Sequence, residues 1–228
     1  MRASLREFFR ILQEDGLPVA LRRIWWELTQ NVWFDLRHGT DTLMMVPLED
    51  YPDSHTALAY AVRYQPSYSN VIRRCLAEIP GNLLSRPFID LGCGKGKPLL
   101  IAAQSGFLNL VGIDLHADLL TTCRQNFERI QRPQSHLELF QMDVREYSFP
   151  PGSSCFFLYN PFEINVLKTV LGNVKKVVEP GEEAFLIYVH NRHEELVLQF
   201  AEKLTDIDSP PEMKAAIYRI MASRGAAA

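Results

Sequence analysis

Apolar residues in this chain gather into short runs that end on polar residues and give way to longer helix-like stretches. Runs near 86–91, 109–114, 136–142, 154–159 and 183–190 are rich in aliphatic and aromatic residues. Their length and composition predict strands. Stretches 96–105, 117–131, 162–178 and 193–204 predict helices. Pro98 falls in the first turn of one of them, where proline is tolerated. Ala215–Met221 predicts a last strand. Strands alternating with helices predict an α/β domain built on a parallel sheet.

The first 45 residues follow a different pattern. Leu5, Phe8, Phe9, Ile11 and Leu12 predict an amphipathic helix that stops near Gly16-Leu17-Pro18. Leu21, Ile24, Trp25, Leu28 and Val32 predict a second helix, and Trp25, Trp26 and Trp33 all fall there beside Arg22 and Arg23. Such a helix suits either a membrane surface or partner, or packing on the rest of the chain. Interspersed acids and the lack of a polybasic face favour packing. Residues 56–79 predict further helix, broken at Tyr64-Gln65-Pro66-Ser67.

The chemistry concentrates in Phe88-Ile89-Asp90-Leu91-Gly92-Cys93-Gly94-Lys95-Gly96, at a predicted strand-to-helix turn. Glycines there let the backbone approach a ligand, and the new helix offers N–H groups at its start. A dinucleotide turn or a P-loop counted from Gly92 needs glycine at 97, where Lys97 stands. The pattern present is D-x-G-x-G-x-G. Asp90 would repel a pyrophosphate and suits a ligand carrying ammonium and sulfonium charges. Cys93 reads as a small residue that fits the loop rather than as a nucleophile. A second run ends at Asp114, 22 residues after Gly92, where an acid can accept hydrogen bonds from ribose hydroxyls. The next runs close on Asp143-Val144 and on Asn160-Pro161-Phe162-Glu163. In a parallel sheet these endings share one edge, where open α/β folds bind ligands.

These residues resemble the class I S-adenosylmethionine-dependent methyltransferases. The D-L-G-x-G-K-G loop with Tyr159-Asn160-Pro161-Phe162 is similar to a bacterial group of that class. Tyr64-Gln65-Pro66-Ser67 resembles the turn that precedes the glycine loop in small protein-lysine methyltransferases of mitochondria and archaea. The resemblance implies a Rossmann-like seven-stranded sheet, order 3-2-1-4-5-7-6, with Thr205-Asp206-Ile207 as a short antiparallel partner of the last strand. It divides the chain into a helical extension, 1–54, and a catalytic domain, 55–228. It implies S-adenosyl-L-methionine as cofactor. Asp90, Gly92, Cys93, Gly94 and Gly96 would hold its methionine part, Asp114 and Leu115 its ribose, and Asp143 and Val144 its adenine. Tyr64 and Tyr68 would line a lid.

Asn160-Pro161-Phe162 resembles the [DNS]-P-P-[FYW] signature of enzymes that methylate amino or amide nitrogens. It has one proline where that signature has two, so the aromatic ring stands one position early. Asn160, Pro161 and Phe162 are the candidate catalytic residues. His190 and Glu163 are candidate bases; each also suits a structural role, Glu163 at a helix N-terminus.

Composition narrows the class. With 228 residues and 47% hydrophobic content the chain can build one large core. A net charge of −3 argues against a dedicated nucleic-acid binder. Cys75, Cys93, Cys123 and Cys155 form no C-x-x-C pair and predict reduced, buried thiols. His116, His136 and His193 show no metal-ligand spacing, so no metal is expected. No run of about 20 apolar residues predicts a membrane span, and no signal-peptide pattern opens the chain. The expected protein is a cytoplasmic methyltransferase, with N-methylation of a protein side chain or small molecule favoured over nucleic acid. A nucleotide-binding oxidoreductase and a non-catalytic scaffold working through the Trp-rich helices, by a partner or by peripheral membrane contact, are the alternatives.

Overall fold

A computed structural model describes residues 16–43, 67–160, 162–210 and 213–222. The calls on residues 1–15, on Tyr64-Gln65-Pro66 and on Pro161 lie outside the described residues. Seven strands form one sheet: β1 Pro87–Leu91, β2 Asn109–Asp114, β3 His136–Gln141, β4 Cys155–Tyr159, β5 Glu183–Val189, β6 Glu202–Ile207 and β7 Ala215–Met221. Their order is β3-β2-β1-β4-β5-β7-β6. β3, β2, β1, β4 and β5 run parallel, and β7 is antiparallel to both β5 and β6. This is the order that the resemblance implied.

Burial explains which runs became which strands. The central β1, β4 and β5 are covered on both faces and are almost wholly buried, so their sequences are continuously apolar. Edge strands β3 and β6 are partly exposed and alternate with a period of two. That alternation corrects the helix expected at 193–204. Only Glu194–Val197 is helical there, and the chain turns through 198–201 before entering β6 at Glu202.

Helices cover both faces. One apolar layer joins α3 (Ser69–Ala77) and α4 (Lys97–Gln104) to Phe88, Phe157 and Ile187. The other joins α6 (Ile164–Val177) to Ile89, Phe156 and Leu186. α5 (Ala117–Arg129) packs beside β2 and β3. Each fully buried Phe or Ile in these layers contributes about 1.5–3 kcal/mol.

Ahead of the sheet, α1 (Leu17–Trp26) continues through a π-turn (Glu27–Val32) into α2 (Trp33–His38). The Thr29 hydroxyl donates to the Trp25 carbonyl at 2.7 Å, and the Trp33 N–H reaches back five residues to Leu28. The extra residue per turn keeps one face in phase. Leu17, Leu21, Trp25, Leu28, Trp33 and Leu36 step by four, four, three, five and three residues and are all exposed. The apolar positions expected to pack inward at 21, 25 and 28 therefore face out. The packed face is Trp26, Gln30, Asn31, Phe34 and Asp35.

That face is bonded to the glycine turn. Lys97, 1% exposed, donates to Asn31 Oδ1 at 2.6 Å and lies over the Phe34 ring. Lys95 meets the Asp41 carboxylate at 3.0 and 3.1 Å. Asn126 accepts from the Asp41 N–H and donates to the Asp41 and Lys95 carbonyls. Tyr68 is buried with its ring against Trp26, so it packs here and lines no lid.

Candidate active site

The glycine turn follows from backbone geometry. Gly92, Gly94 and Gly96 have φ of 83°, 52° and 83°, a region other residues seldom enter. A side chain on Gly96 would also place its first carbon 2.3 Å from the Cys123 sulfur. The N–H groups of Gly92 and Cys93 both donate to the Ile113 carbonyl, and Gly94 N–H donates to Asp114 Oδ2 at 2.8 Å. The loop is thus laid across the end of β2. Gly96 caps α4 at its N-terminus.

Two acids sit beneath this loop. Asp90 shares a sheet face with Phe88 and is 1% exposed. Its Oδ2 is buried without a hydrogen-bond partner among the described residues. Burial, then the nearby charge of Asp114, pushes the Asp90 carboxyl well up from the usual range. Asp114 is itself pushed up by burial, opposed by His116 and by the N–H groups of Gly94, His116 and Leu115. Cys93 turns its thiol inward against Cys123 and Gly112, and burial holds it protonated. Only its backbone can face a ligand, as the sequence reading of a space-filling residue requires. Cys75, Cys123 and Cys155 are likewise buried free thiols.

The other strand ends carry polar groups of different kinds. Asp143, after β3, accepts from the Arg145 backbone N–H and side chain, which pull its carboxyl below the usual range. Val144 is buried in the adjoining turn. Asn160, after β4, is 5% exposed, has φ of 38° and accepts from the Tyr188 hydroxyl at 3.0 Å. Phe162 is half-buried and packs on the α6-side core, so its ring is committed to packing. Glu163 is exposed and stands at the start of α6, where it complements the helix N-terminus. His190, after β5, has φ of 55° and stacks on Tyr159, and its Nε2 accepts from Arg192 Nε at 3.0 Å. That bond occupies the lone pair a general base would use.

The row of strand ends therefore brings together Asp90, the three glycines, Asp114, Asp143 and Asn160. Tyr188, Arg145, Asn126 and the Asn31–Lys97 pair were not legible as site residues from the sequence. Tyr188 lies inside an apolar run, and the others gain meaning only from partners far along the chain. Lys97 offered one clue, a charged residue opening a helix that is otherwise apolar.

An orphaned carboxylate oxygen beside a second acid fits a cation, not a phosphate. The open glycine backbone fits an amino-acid moiety, and Asp114 fits a sugar hydroxyl. Turn, acids and strand order together are those of the class I S-adenosylmethionine-dependent methyltransferase fold, whose enzymes use S-adenosylmethionine as cofactor. Residues 88–181 match the family model described as a methyltransferase domain. Over 124 residues the chain is 27% identical to a ribosomal protein L11 methyltransferase of Cupriavidus metallidurans, covering 49% of this chain and 40% of that protein. An RNA methyltransferase of Salinibacter ruber, solved with S-adenosylhomocysteine, superposes with a TM-score of 0.55 at 18% identity, over 71% of this chain and 97% of that one. The N-methyltransferase NodS of Bradyrhizobium japonicum gives 0.52 at 15% identity, over 67% and 93%. At these identities the structural likeness bears on the fold alone. Among the described residues no cluster of three or more His, Cys, Asp or Glu could hold a metal, and no helix is long and apolar enough to cross a membrane.

The acid pair has a measurable consequence. Because the folded-state pKa of Asp90 is raised, the folded protein binds the proton more tightly than the unfolded chain. The contribution of this carboxyl to stability is then greatest at low pH and falls as pH rises from about 4 toward the folded value. Asp90→Asn is expected to raise the melting temperature of the ligand-free protein at pH 7–8 by several degrees and to flatten this dependence. The same change should weaken S-adenosylmethionine binding. A variant melting no higher than wild type at pH 8 would show that Asp90 is not under this strain.

Proposed function

We propose that this chain transfers a methyl group from S-adenosylmethionine to a nitrogen on a protein side chain or small molecule. Residues 55–228 form the catalytic domain and residues 1–54 the helical extension. The cofactor supplies a methyl group already activated on sulfonium, so the chain's task is to align and shield the reacting groups. Asp90 and the turn Gly92-Cys93-Gly94-Gly96 hold the methionine part, with the Asp90 carboxylate compensating its ammonium. Asp114 accepts from the ribose, with Leu115 against the sugar. Asp143 uses what its Arg145 bonds leave to accept from the adenine amino group, beside the Val144 backbone. Asn160 faces the acceptor, Pro161 is its candidate catalytic neighbour in the sequence, and Phe162 supports Asn160 by packing.

The observation that carries this reading is Asn160. It stands at the next strand end after the cofactor turn, in a backbone conformation uncommon for a residue with a side chain. Its amide oxygen has a second lone pair with which to orient an acceptor N–H. The chain spans 40% of the length of its curated relative, so the L11 substrate is not carried over.

Calorimetric titration with S-adenosylhomocysteine is the first test. A dissociation constant in the micromolar range or tighter, about −8 kcal/mol, is expected. Labelled S-adenosylmethionine, screened with peptides, small amines and RNA, should then mark peptides or amines. Absence of binding by the folded protein would sink the reading. A second reading draws on the exposed stripe from Leu17 to Leu36: a methyltransferase-like scaffold that works through this face. It predicts cofactor binding with no methyl transfer to any acceptor class.

A further inference from the structure

The ends of β4 and β5 are joined by a buried side-chain hydrogen bond. The Tyr188 hydroxyl, on a side chain 1% exposed, lies 3.0 Å from Asn160 Oδ1. Burial pushes the phenol up to about 12, so at neutral pH it keeps its one proton. The phenol gives that proton to the oxygen it faces, Asn160 Oδ1. This fixes the amide: Asn160 turns its oxygen toward Tyr188.

The backbone gives a second sign. Asn160 at φ 38° and His190 at φ 55° end adjacent strands in the left-handed region. Such conformations persist where the surroundings over-determine them, and they concentrate at functional sites. Asparagine tolerates the region better than most residues with a side chain. The two ends meet a second time where the His190 ring stacks on Tyr159, and Arg192 Nε holds that ring by donating to His190 Nε2.

Resting on the reading that Asn160 faces the acceptor, we infer that Tyr188 is the positioning residue of the methyl-transfer site. It grips one lone pair of the Asn160 oxygen from inside the sheet and so aims the other at the atom to be methylated. Tyr188 touches neither cofactor nor acceptor; it acts through Asn160.

The test needs no acceptor. Sinefungin carries an amine where the transferred methyl would sit, and S-adenosylhomocysteine carries nothing there. Calorimetric affinities for both are compared in wild type, Asn160→Gly and Tyr188→Phe. Glycine suits φ 38° and removes the side chain without adding strain. Wild type is expected to prefer sinefungin, and Asn160→Gly should lose about tenfold of that preference, one hydrogen bond to a charged group. Tyr188→Phe should lose three- to tenfold of it, with S-adenosylhomocysteine affinity unchanged. A purely structural Tyr188 would lower the melting temperature, weaken both ligands equally and leave their ratio alone; that result overturns the inference. A ratio untouched in Asn160→Gly overturns the placement of Asn160 itself.

Discussion

Replacing Asp114 with alanine should weaken S-adenosylhomocysteine binding roughly 10- to 100-fold, about 1.5–3 kcal/mol, while the fold survives. The argument starts from lone pairs. A carboxylate offers about four acceptor positions. In Asp114 the N–H groups of Gly94 and His116 take two of them, and capacity stays for a ribose hydroxyl. The variant loses that bond and also the anchor that ties Gly94 across the end of β2. Both losses fall on the ligand. Stability should move the other way, because the burial of Asp114 opposes its charge and its charge in turn opposes that of Asp90. The expected pair of results is a melting temperature equal to or above wild type with affinity much reduced. Asp114→Asn keeps one acceptor oxygen and should fall between. Affinity within twofold of wild type in Asp114→Ala would move the ribose elsewhere.

This opposition of stability and binding is what a cation site requires. Two acids held close in a buried turn are a liability until an ammonium arrives. Asp90→Asn and Asp114→Ala probe that liability from its two ends. A protein in which both variants gain stability and lose ligand has paired acids that serve the cofactor.

The parts of the fold legible from sequence are those dictated by local physics. Strands buried on both faces demand continuous apolar runs, and β1, β4 and β5 announced themselves that way. The glycine turn was legible because its left-handed backbone is open to few other residues. The order of the strands was not; it came from resemblance. The helix expected at 193–204 failed where tertiary pairing won. Glu202–Ile207 is polar enough to read as a helix face, but β7 offers an open edge and draws it into the sheet. The extension misled in another way. Its apolar stripe reads as a buried face, yet the helix packs through Gln30, Asn31, Phe34 and Asp35. Hydrogen-bonding side chains carry the packing there: Gln30 bonds Ser69 and Asn70, Asp35 bonds Thr40 and Thr42, Asn31 meets the Lys97 ammonium, and Asp41 just beyond the helix meets that of Lys95.

Those lysines make the extension the subject of the second large effect. Removing residues 1–43 should lower the melting temperature by about 10 °C or more and cost most of the S-adenosylhomocysteine binding. Lys97 is buried against Asn31 and Phe34. Truncation removes both and changes the surroundings of an ammonium group that sits in the first turn of α4. Stripping the partner from a buried charge costs about 3–5 kcal/mol, and in a chain of this size each kcal/mol is worth about 2–4 °C. Asp41 leaves with the same segment, which removes the carboxylate from Lys95 and two of the bonds of Asn126. The damage therefore lands on the turn that holds the cofactor, not on a remote surface. Charge is the part of this cost that can be separated. Lys97→Met in the truncated chain keeps the length of the side chain and removes the ammonium, so it should recover part of the lost melting temperature. Asn31→Leu in the full chain should reproduce about 2 kcal/mol of the loss, the scale of one hydrogen bond to a charged group. A truncated protein that melts with wild type and binds S-adenosylhomocysteine as tightly would mean that the glycine turn stands without its extension, and that Lys97 finds its compensation within the sheet domain.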